Sequence, residues 1–585
     1  MVRLAIVHKE KCKPGTCSHE CAKVCPVNKK DLECVRIEQK SVIDESLCVG
    51  CSICEKRCPL GAIEIINLPS VKEEDLIFRY SKNGFALYGM PVPKFGSVLG
   101  FLGRNGIGKS TAIEILAGKK QINLGKDANE KEIKDYLQGN ELLRYFDNLK
   151  GKKIAYKPQN LSSIAVNLSV KELLEKRGSK KQVSELIKKL NVEYLLENKL
   201  NKLSGGELQK IAIIAAVLGE ADIYFFDEPL AYLDIQERIN VSDFIKEISK
   251  NKTVVVVEHD LLILDYLTDY VNVFYGSQGA FGCVSGVKAT KYGINSYLAG
   301  FLKEENMKIR DKELNFNFTK NKTVAGRIVA EWPDFSLNLD KFHLNVSKGE
   351  IKENHVVGIL GKNGTGKTTF VKCLAGLEDV EINGKKQKLD LDLKISYKPQ
   401  YLFTDSEETV MDVIRKEKIS KKTSSMFNLE ALHLKKIKEL SGGELQRFSI
   451  ARCLGKEAEV YLIDEPSAYL DVEERINCAK SIKEIMTEKQ KTAFVVDHDL
   501  LLMSYLADSV IVFSGGSQSK SQDGTCDNVA GQSSKIYNFE DGVSELLKSL
   551  DITLRKDKES GRPRINSRGS VLDREQKEQG KWVVL

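Results

Sequence analysis

Two stretches of the chain have the residue types and spacing to grip a polyphosphate: Gly103-Arg104-Asn105-Gly106-Ile107-Gly108-Lys109-Ser110-Thr111 and Gly361-Lys362-Asn363-Gly364-Thr365-Gly366-Lys367-Thr368-Thr369. Glycines at these spacings let backbone N–H groups wrap phosphate oxygens. Lys109 and Lys367 can reach the β and γ oxygens, and the Ser110 and Thr368 hydroxyls can bind Mg²⁺. Beyond each loop lies an apolar run ending in two carboxylates, Ile223-Tyr224-Phe225-Phe226-Asp227-Glu228-Pro229 and Val460-Tyr461-Leu462-Ile463-Asp464-Glu465-Pro466. A strand-end Asp can hold the water shell of a metal, and the adjacent Glu can polarise an attacking water. Val254–Val257 then delivers Glu258-His259-Asp260, and His498 recurs at the same place in the second half. The recurrence favours a γ-phosphate contact for both His259 and His498 over a structural histidine. Between loop and acidic strand stands Leu203-Ser204-Gly205-Gly206-Glu207-Leu208-Gln209-Lys210, repeated as Leu440-Ser441-Gly442-Gly443-Glu444-Leu445-Gln446-Arg447. Two glycines before a polar helical run leave N–H groups free at a helix N-terminus, an anion site.

A different chemistry occupies the N-terminus. Nine of the 14 cysteines precede residue 60. They read Cys12-x4-Cys17-x3-Cys21-x3-Cys25-Pro26 and Cys48-x2-Cys51-x2-Cys54-x3-Cys58-Pro59, with Cys34 between. The second run is the bacterial ferredoxin pattern, in which three thiolates grip one cubane and the fourth reaches its neighbour. That crossing assigns Cys48, Cys51, Cys54 and Cys25 to one [4Fe–4S] cluster and Cys12, Cys17, Cys21 and Cys58 to the other. Zinc favours paired Cys-x2-Cys knuckles and fits the rhythm poorly. Disulfides need an oxidising compartment that nothing in the chain suggests, and free thiols have no reason to repeat such spacing. Cys34 is expected to be packed, not ligating. Cys283, Cys373, Cys453, Cys478 and Cys526 are expected to be buried small hydrophobes. A 70-residue segment buries little core, so the clusters are expected to act as structural staples.

The elements that must position these groups repeat as well. Val98–Leu102 reads as a buried strand and Ala112–Leu116 as the helix after the first loop, so each half is strand, phosphate loop, helix. Tyr156-Lys157-Pro158-Gln159 is echoed by Tyr397-Lys398-Pro399-Gln400, and Ala231-Tyr232-Leu233-Asp234 by Ala468-Tyr469-Leu470-Asp471. Gln159 lies 50 residues beyond Lys109, whereas Gln400 lies 33 beyond Lys367. The excess marks an insertion, and Glu130–Asn148, charged with apolar positions at helical spacing, reads as a helix pair on the surface. The expected domains are 1–72 for the cysteine head and 73–281 for the first nucleotide-binding domain, with its helical insertion near 128–150. A hinge at 282–312, a second nucleotide-binding domain at 313–540 and a C-terminal hinge segment at 541–585 complete the division. The 585 residues suit such a multi-domain α/β chain. An apolar fraction of 42% and a charged fraction of 29% are those of a globular protein, and a net charge of +7 permits nucleic-acid contact without arguing for it. No apolar run reaches the roughly 18 residues of a membrane helix, and the start lacks a signal-peptide stretch.

Together these motifs resemble an ATP-binding-cassette ATPase with two cassettes on one chain. The pairing with an eight-cysteine ferredoxin-like head resembles the ABC-E family, the RNase L inhibitor family, over the whole length, including the Arg562-Pro563-Arg564-Ile565-Asn566 tail. The resemblance implies two head-to-tail cassettes in a monomer, with ATP and Mg²⁺ sandwiched between them. One composite site joins Lys109, Ser110, Gln159, Asp227, Glu228 and His259 to Ser441 and Gly443. The other joins Lys367, Thr368, Gln400, Asp464, Glu465 and His498 to Ser204 and Gly206. Tyr80 or Phe85 is expected to stack on the first adenine. The family implies a cytoplasmic ribosome-recycling factor that binds the ribosome, its rRNA and proteins, with a release factor or a Pelota-type protein. Closure on ATP moves the iron–sulfur head, parts the subunits and leaves the factor on the small one. A transporter's cassette subunit and an ATP-gated electron carrier are the competing readings. The chain departs from the family pattern at Lys210, where Arg is usual, at Pro229-Leu230-Ala231-Tyr232 in place of Pro-Ser-Ser-Tyr, and at Asp497, where Glu is expected before His498.

Overall fold

The computed structural model describes residues 3–8, 11–30, 32–44, 47–67, 75–126, 128–161, 167–310, 312–314, 326–339, 342–400, 405–515 and 529–584. The boundary expected at 72/73 and Cys526 lie outside them. The chain forms two compact units. The first is Met1–Pro229 with Ile245–Glu258 and Thr268–Glu313; the second is Leu230–Phe244 and His259–Leu267 with Leu314–Leu585.

In the first unit the cysteine segment is closed by its own ends: Arg3–Val7 pairs antiparallel with Ile63–Asn67. Between them lie the hairpin Val35–Ile37/Ser41–Ile43 and two short helices, Glu20–Lys23 and Ile53–Arg57. Cysteine sulfur replaces much of the hydrocarbon in its core. Cys12, Cys21, Cys25, Cys34 and Cys54 are buried together with a few aliphatic residues such as Val35 and Ile43. So small a core needs a staple. Asn83 of the following domain fastens the head: its carbonyl O accepts from Val7 N at 3.1 Å and its Oδ1 from Ile43 N at 2.8 Å.

The same unit carries a nine-stranded sheet. Its centre is parallel, in the order Ile154–Lys157, Ile223–Asp227, Thr253–Val257, Val98–Leu102, Tyr270–Ser277. The middle three strands are apolar without alternation and wholly buried, as a sheet covered on both faces requires. Parallel order brings Gln159, Glu228, Glu258 and the first phosphate loop out at one edge, the carboxyl edge, where open α/β sheets bind ligands. The second unit repeats the programme in a ten-stranded sheet with Ile395–Lys398, Val460–Asp464, Thr492–Val496, Val356–Gly361 and Ser509–Gly515 in the same order.

The stretch near 128–150 forms the expected helix pair, Glu130–Tyr136 and Glu141–Leu149, mostly exposed and seated by one apolar face. Leu137, Leu142 and Tyr145 are buried in the first core, and the Tyr145 hydroxyl donates to Leu116 O at 3.1 Å. Two local readings of the sequence change. The expected boundary at 281/282 falls inside the strand Phe281–Val284, which pairs with Tyr270–Ser277 and Ala86–Tyr88. A ten-residue helix, Thr290–Ala299, follows within the expected hinge. The boundary at 540/541 falls inside the helix Phe539–Ser549, whose Val543, Leu546 and Leu547 are buried. Glycines inside them, Gly282 and Gly542, concealed both elements.

The C-terminal tail is ordered around a small three-stranded sheet, Leu554–Lys556, Pro563–Ile565 and Val583–Val584. Arg562, fully buried, reaches Asp265 Oδ2 at 3.0 Å. Arg564 forks onto the same carboxylate, Nε at 2.6 Å and Nη2 at 3.1 Å.

Candidate functional site

Each phosphate loop opens a helix, Lys109–Leu116 or Lys367–Leu374, capped by a left-handed glycine, Gly108 or Gly366. The first glycine of each loop is required. Gly103 and Gly361 sit at φ 154° and 147°, and a Cβ there would stand 2.4 Å from Phe274 O and Phe513 O respectively. Lys109 Nζ donates to Gly103 O at 2.7 Å and Arg104 O at 2.6 Å; Lys367 Nζ donates to Gly361 O at 3.0 Å and Lys362 O at 2.6 Å. Each ammonium thus hangs over the mouth of its own loop. Burial pulls that of Lys367 down to about 8, against the pull of Asp234, Glu465 and Asp464. Asn105, Gly106, Thr111, Gly364 and Thr369 lie in the same two loop–helix turns.

The two acidic strand ends meet the loops. Burial, then the adjacent Glu228, pushes the Asp227 carboxyl up to about 6, while a hydrogen bond from Ser110 opposes it. Asp464 is likewise raised by burial, with the neighbouring Thr368 hydroxyl opposing the shift. Each hydroxyl–carboxylate pair could hold a divalent cation through oxygen ligands. Glu228 and Glu465 turn away from the strand in left-handed backbone, φ 47° and 48°. Their carboxylates are held by glutamine: Gln159 Nε2 to Glu228 Oε1 and Gln400 Nε2 to Glu465 Oε1, both 2.8 Å. His498 Nε2 lies 3.9 Å from Glu465 Oε1, and burial holds its imidazole neutral, well below the usual histidine range. His259 follows Thr253–Val257 of the first sheet but belongs to the second compact unit.

Ser204 and Ser441 are the N-caps of helices Gly205–Val217 and Gly442–Gly455, each in a capping box with the Glu three residues on. Gly206 and Gly443 lie in the first turns. A Cβ on Gly443 would meet Tyr469 O at 3.0 Å. Tyr80 and Phe85 both border the first loop: Tyr80 Oη is 3.1 Å from Thr111 Oγ1, and the Phe85 ring blocks the Cβ position of Gly108 at 2.8 Å. Tyr80 is half exposed, with Lys120 Nζ 4.4 Å from its ring centroid.

Several contributors went unread in the sequence. Lys157 and Lys398 are buried, and each donates to the backbone of an acidic pair: Lys157 to Asp227 O at 2.8 Å and Glu228 O at 2.9 Å, Lys398 to Asp464 O at 2.6 Å and Glu465 O at 3.4 Å. Burial lowers both ammonium groups to about 8. Gln446 Nε2 also donates to Glu465 O, at 2.6 Å. Within the second unit Asp234 Oδ2 accepts from the loop residue Asn363 N at 2.8 Å. The strict echo of the Tyr-Lys-Pro-Gln and Ala-Tyr-Leu-Asp tetrapeptides was the available signal. Asp497 binds Ser467 twice, from Oγ at 2.7 Å and from N at 2.9 Å. Leu230, buried where the first half departs, has no hydroxyl to donate.

In the head, Cys25, Cys48, Cys51 and Cys54 line one cavity together with Cys34. Cys12, Cys21 and Cys58 adjoin one another: the Cys21 thiol is raised by burial with Cys58 and Cys12 adding to it. Backbone N–H groups aim at sulfur, Ser41 N to Cys12 Sγ at 3.4 Å and Ala62 N to Cys58 Sγ at 3.3 Å, as ligated thiolates require. Cys17 Sγ is 3.9 Å from Pro14 O. Among the described residues all thirteen cysteines are free, and no three His, Cys, Asp or Glu converge on a single-ion site. A cubane spaces its ligands around a larger body, so the donor set fits iron–sulfur. Cys34 is buried, its Sγ donating to Asp44 O at 3.7 Å, and burial first, then the neighbouring Cys25 and Cys48, push its thiol up to about 12.

Comparison with known proteins agrees with this geometry. The ABC transporter family matches residues 94–231 and 344–468. The family described as a possible Fer4-like domain in RNase L inhibitor matches 2–31, and the 4Fe-4S binding domain matches 41–64. An uncharacterised ABC transporter ATP-binding protein of Methanocaldococcus jannaschii is 44% identical over 100% of this chain and 98% of its own. Translation initiation factor RLI1 of Saccharomyces cerevisiae is 39% identical over 100% and 98%. Among solved structures, the ABCE1 of a model of ribosome-bound archaeal Pelota and ABCE1 superposes with a TM-score of 0.91 at 41% identity, covering 100% of this chain and 99% of the other. An archaeal ribosome recycling factor, aABCE1, crystallised with the ribosomal stalk protein aP1, gives 0.81 at 41% identity, over 88% and 100%. With a likeness that runs from the first cysteines to the Arg-Pro-Arg tail, the chain belongs to the ABC-E, or RNase L inhibitor, family: an ABC-type ATPase with two cassettes behind an iron–sulfur head.

Proposed function

We propose that this chain is an ATP-driven ribosome recycling factor, acting in the cytoplasm with a release factor or Pelota-type protein and remaining on the small subunit after splitting. The observation that carries the reading is the full-length likeness to the ABCE1 of a model of ribosome-bound archaeal Pelota and ABCE1. Nothing in the chain's geometry favours a transporter or an electron carrier over it.

The site assignments follow the repeat. Lys109 with Gly103, Asn105, Gly106, Gly108 and Thr111 cradles one triphosphate. Lys367 with Gly361, Asn363, Gly364, Gly366 and Thr369 cradles the other. Ser110 with Asp227, and Thr368 with Asp464, would hold Mg²⁺, which when bound neutralises phosphate charge. Glu228 and Glu465, steered by Gln159 and Gln400, orient water, and His259 and His498 contact the γ-phosphate. The neutral imidazole of His498 can donate one N–H there without repelling the adjacent ammonium of Lys367. Ser441 and Gly443 face the first nucleotide and Ser204 and Gly206 the second, so that each γ-phosphate meets two helix N-termini, and Tyr80 or Phe85 covers the first adenine. ATP then favours closure by contacts that ADP does not make. Two [4Fe–4S] clusters, one on Cys25, Cys48, Cys51 and Cys54 and one on Cys12, Cys17, Cys21 and Cys58, would crosslink the head into a rigid lever. The head and the two cassettes are the working parts, with the segments at 285–310 and 550–584 serving as hinges.

Light scattering of assembled ribosomes mixed with the holoprotein, ATP and a Pelota-type protein tests this reading. Subunit separation that needs all three components is expected. Intact ribosomes with all three present would refute it.

A further inference from the structure

We propose that Lys157 and Lys398 are positioning residues for ATP hydrolysis, acting through the backbone of the acidic pairs to hold Glu228 and Glu465 in the conformation that aims their carboxylates. The inference rests on the assignment of those two glutamates as the water-orienting groups and names what keeps them in place. Glu228 and Glu465 adopt left-handed backbone, φ 47° and 48°, a conformation that a side chain such as Glu does not choose unaided. Such a conformation persists only where its surroundings over-determine it. Three constraints surround both glutamates, and at Glu465 the Gln446 amide adds another by donating to its carbonyl at 2.6 Å. The backbone N donates to the neighbouring strand, Glu228 N to Val257 O at 3.0 Å and Glu465 N to Val496 O at 2.8 Å. The carboxylate takes the glutamine amide. The carbonyls of the Asp and Glu themselves are clasped by one ammonium, at 2.8 and 2.9 Å from Lys157 and at 2.6 and 3.4 Å from Lys398.

The arrangement is built and not incidental. Both lysines are 2% exposed and end the strand next to the acidic one, Lys157 opposite Phe226 and Lys398 opposite Ile463. A lysine buried this deeply is costly, and its head group is spent on two main-chain oxygens with no carboxylate in hydrogen-bond contact. The same residue makes the same pair of contacts in both halves, although the halves differ at Leu230 and Ser467, Glu258 and Asp497, and Lys210 and Arg447. Because each lysine stands two residues before Gln159 or Gln400, one short segment secures the glutamate at both ends: main chain by ammonium, carboxylate by amide. Losing the clasp releases the peptide that sets the direction of the glutamate side chain. It leaves the phosphate loop, and so ATP binding, intact.

The test is steady-state ATPase of the cluster-loaded full chain carrying Lys157→Met and Lys398→Met together, with the affinity for a non-hydrolysable ATP analogue and the melting temperature measured on the same preparation. A misdirected carboxylate should lower kcat by about 10- to 100-fold, with KM and analogue affinity within about threefold of the parent. Lys157→Gln with Lys398→Gln, which keeps a donor, should recover part of kcat. A kcat within about threefold of the parent overturns the inference. So does an equal loss in kcat and analogue affinity, and so does failure of both pairs of variants to fold, either of which makes the lysines packing elements only. Glu228→Gln with Glu465→Gln runs alongside. If that pair hydrolyses at the parental rate, the glutamate assignment fails; if it is inactive while the lysine variants are not, the lysine inference alone fails.

Discussion

Asp265→Asn is expected to be among the most destabilising conservative changes in the second unit. Asp265 is buried, 2% exposed, and its two oxygens accept from Arg562, which is fully buried, and from both ends of the Arg564 fork. Asparagine keeps the shape, removes the charge and turns an N–H₂ group toward guanidinium donors. Each charge-assisted bond is worth roughly 1.5–3 kcal/mol, but the three share one desolvated carboxylate and do not add. Breaking one partner of a buried pair costs about 3–5 kcal/mol because a buried cation is left under-compensated. At about 2–4 °C per kcal/mol for a unit of this size, the low end corresponds to a drop of about 6–12 °C. Scanning calorimetry of the full chain should show one transition moving while the other stays. Arg568→Ala is the control. Arg568 meets Asp243 at 3.2 Å, with side chains 40% and 35% exposed, and such a pair is worth about 1 kcal/mol or less. If Asp265→Asn moved the transition no further than Arg568→Ala, the tail would not be fastened by this cluster.

Other outcomes follow from the same structure. His355 is buried with Nε2 2.8 Å from Ser509 Oγ, and burial lowers its imidazole to about 4 from an ordinary 6.5. The unfolded chain therefore takes the proton first, so stability present above about pH 6.5 is lost as pH falls toward 4, by about 3 kcal/mol. Urea midpoints of the parent and His355→Asn, compared from pH 7 to 4.5, should converge at the acid end, and parallel curves would contradict this. Gly103→Ala and Gly361→Ala, whose Cβ atoms would meet main-chain oxygen at 2.4 Å, should each weaken ATP-analogue binding at their own loop at least about tenfold; unchanged affinity would refute the tight-turn argument. Cys25→Ala should lower iron content and visible absorbance, whereas Cys34→Ala should keep the iron of the parent. Equal losses would make Cys34 a ligand.

What could be read from the sequence was what chemistry constrains most narrowly. The glycines at 103, 106 and 108 and their second copies admit few alternatives, because a phosphate must be met by backbone. The apolar strands at 98–102, 223–227 and 253–257 are too continuous to lie in a half-exposed sheet. Lys157 and Lys398 were marked only by the repeated Tyr-Lys-Pro-Gln: a lysine in a strand reads as a solvated surface group, and the tertiary fold alone reveals the carbonyls around it. The insertion was legible as a surface helix pair because its apolar positions, Leu137 and Leu142 among them, recur at helical spacing in a charged stretch. The boundaries at 281/282 and 540/541 failed because Phe281–Val284 and Phe539–Ser549 each complete a sheet or core begun long before in the chain. Asp265 carries no local signal at all, since its arginine partners lie about 300 residues away in sequence.

The most direct test of ATP-gripped, small-subunit-bound recycling is cosedimentation of the Glu228→Gln, Glu465→Gln protein with isolated small ribosomal subunits in ATP and in ADP. Retention with ATP, release with ADP and a parental protein that escapes as it hydrolyses its ATP are the expected results. Equal pelleting of the variant in both nucleotides, or none in either, would contradict the account.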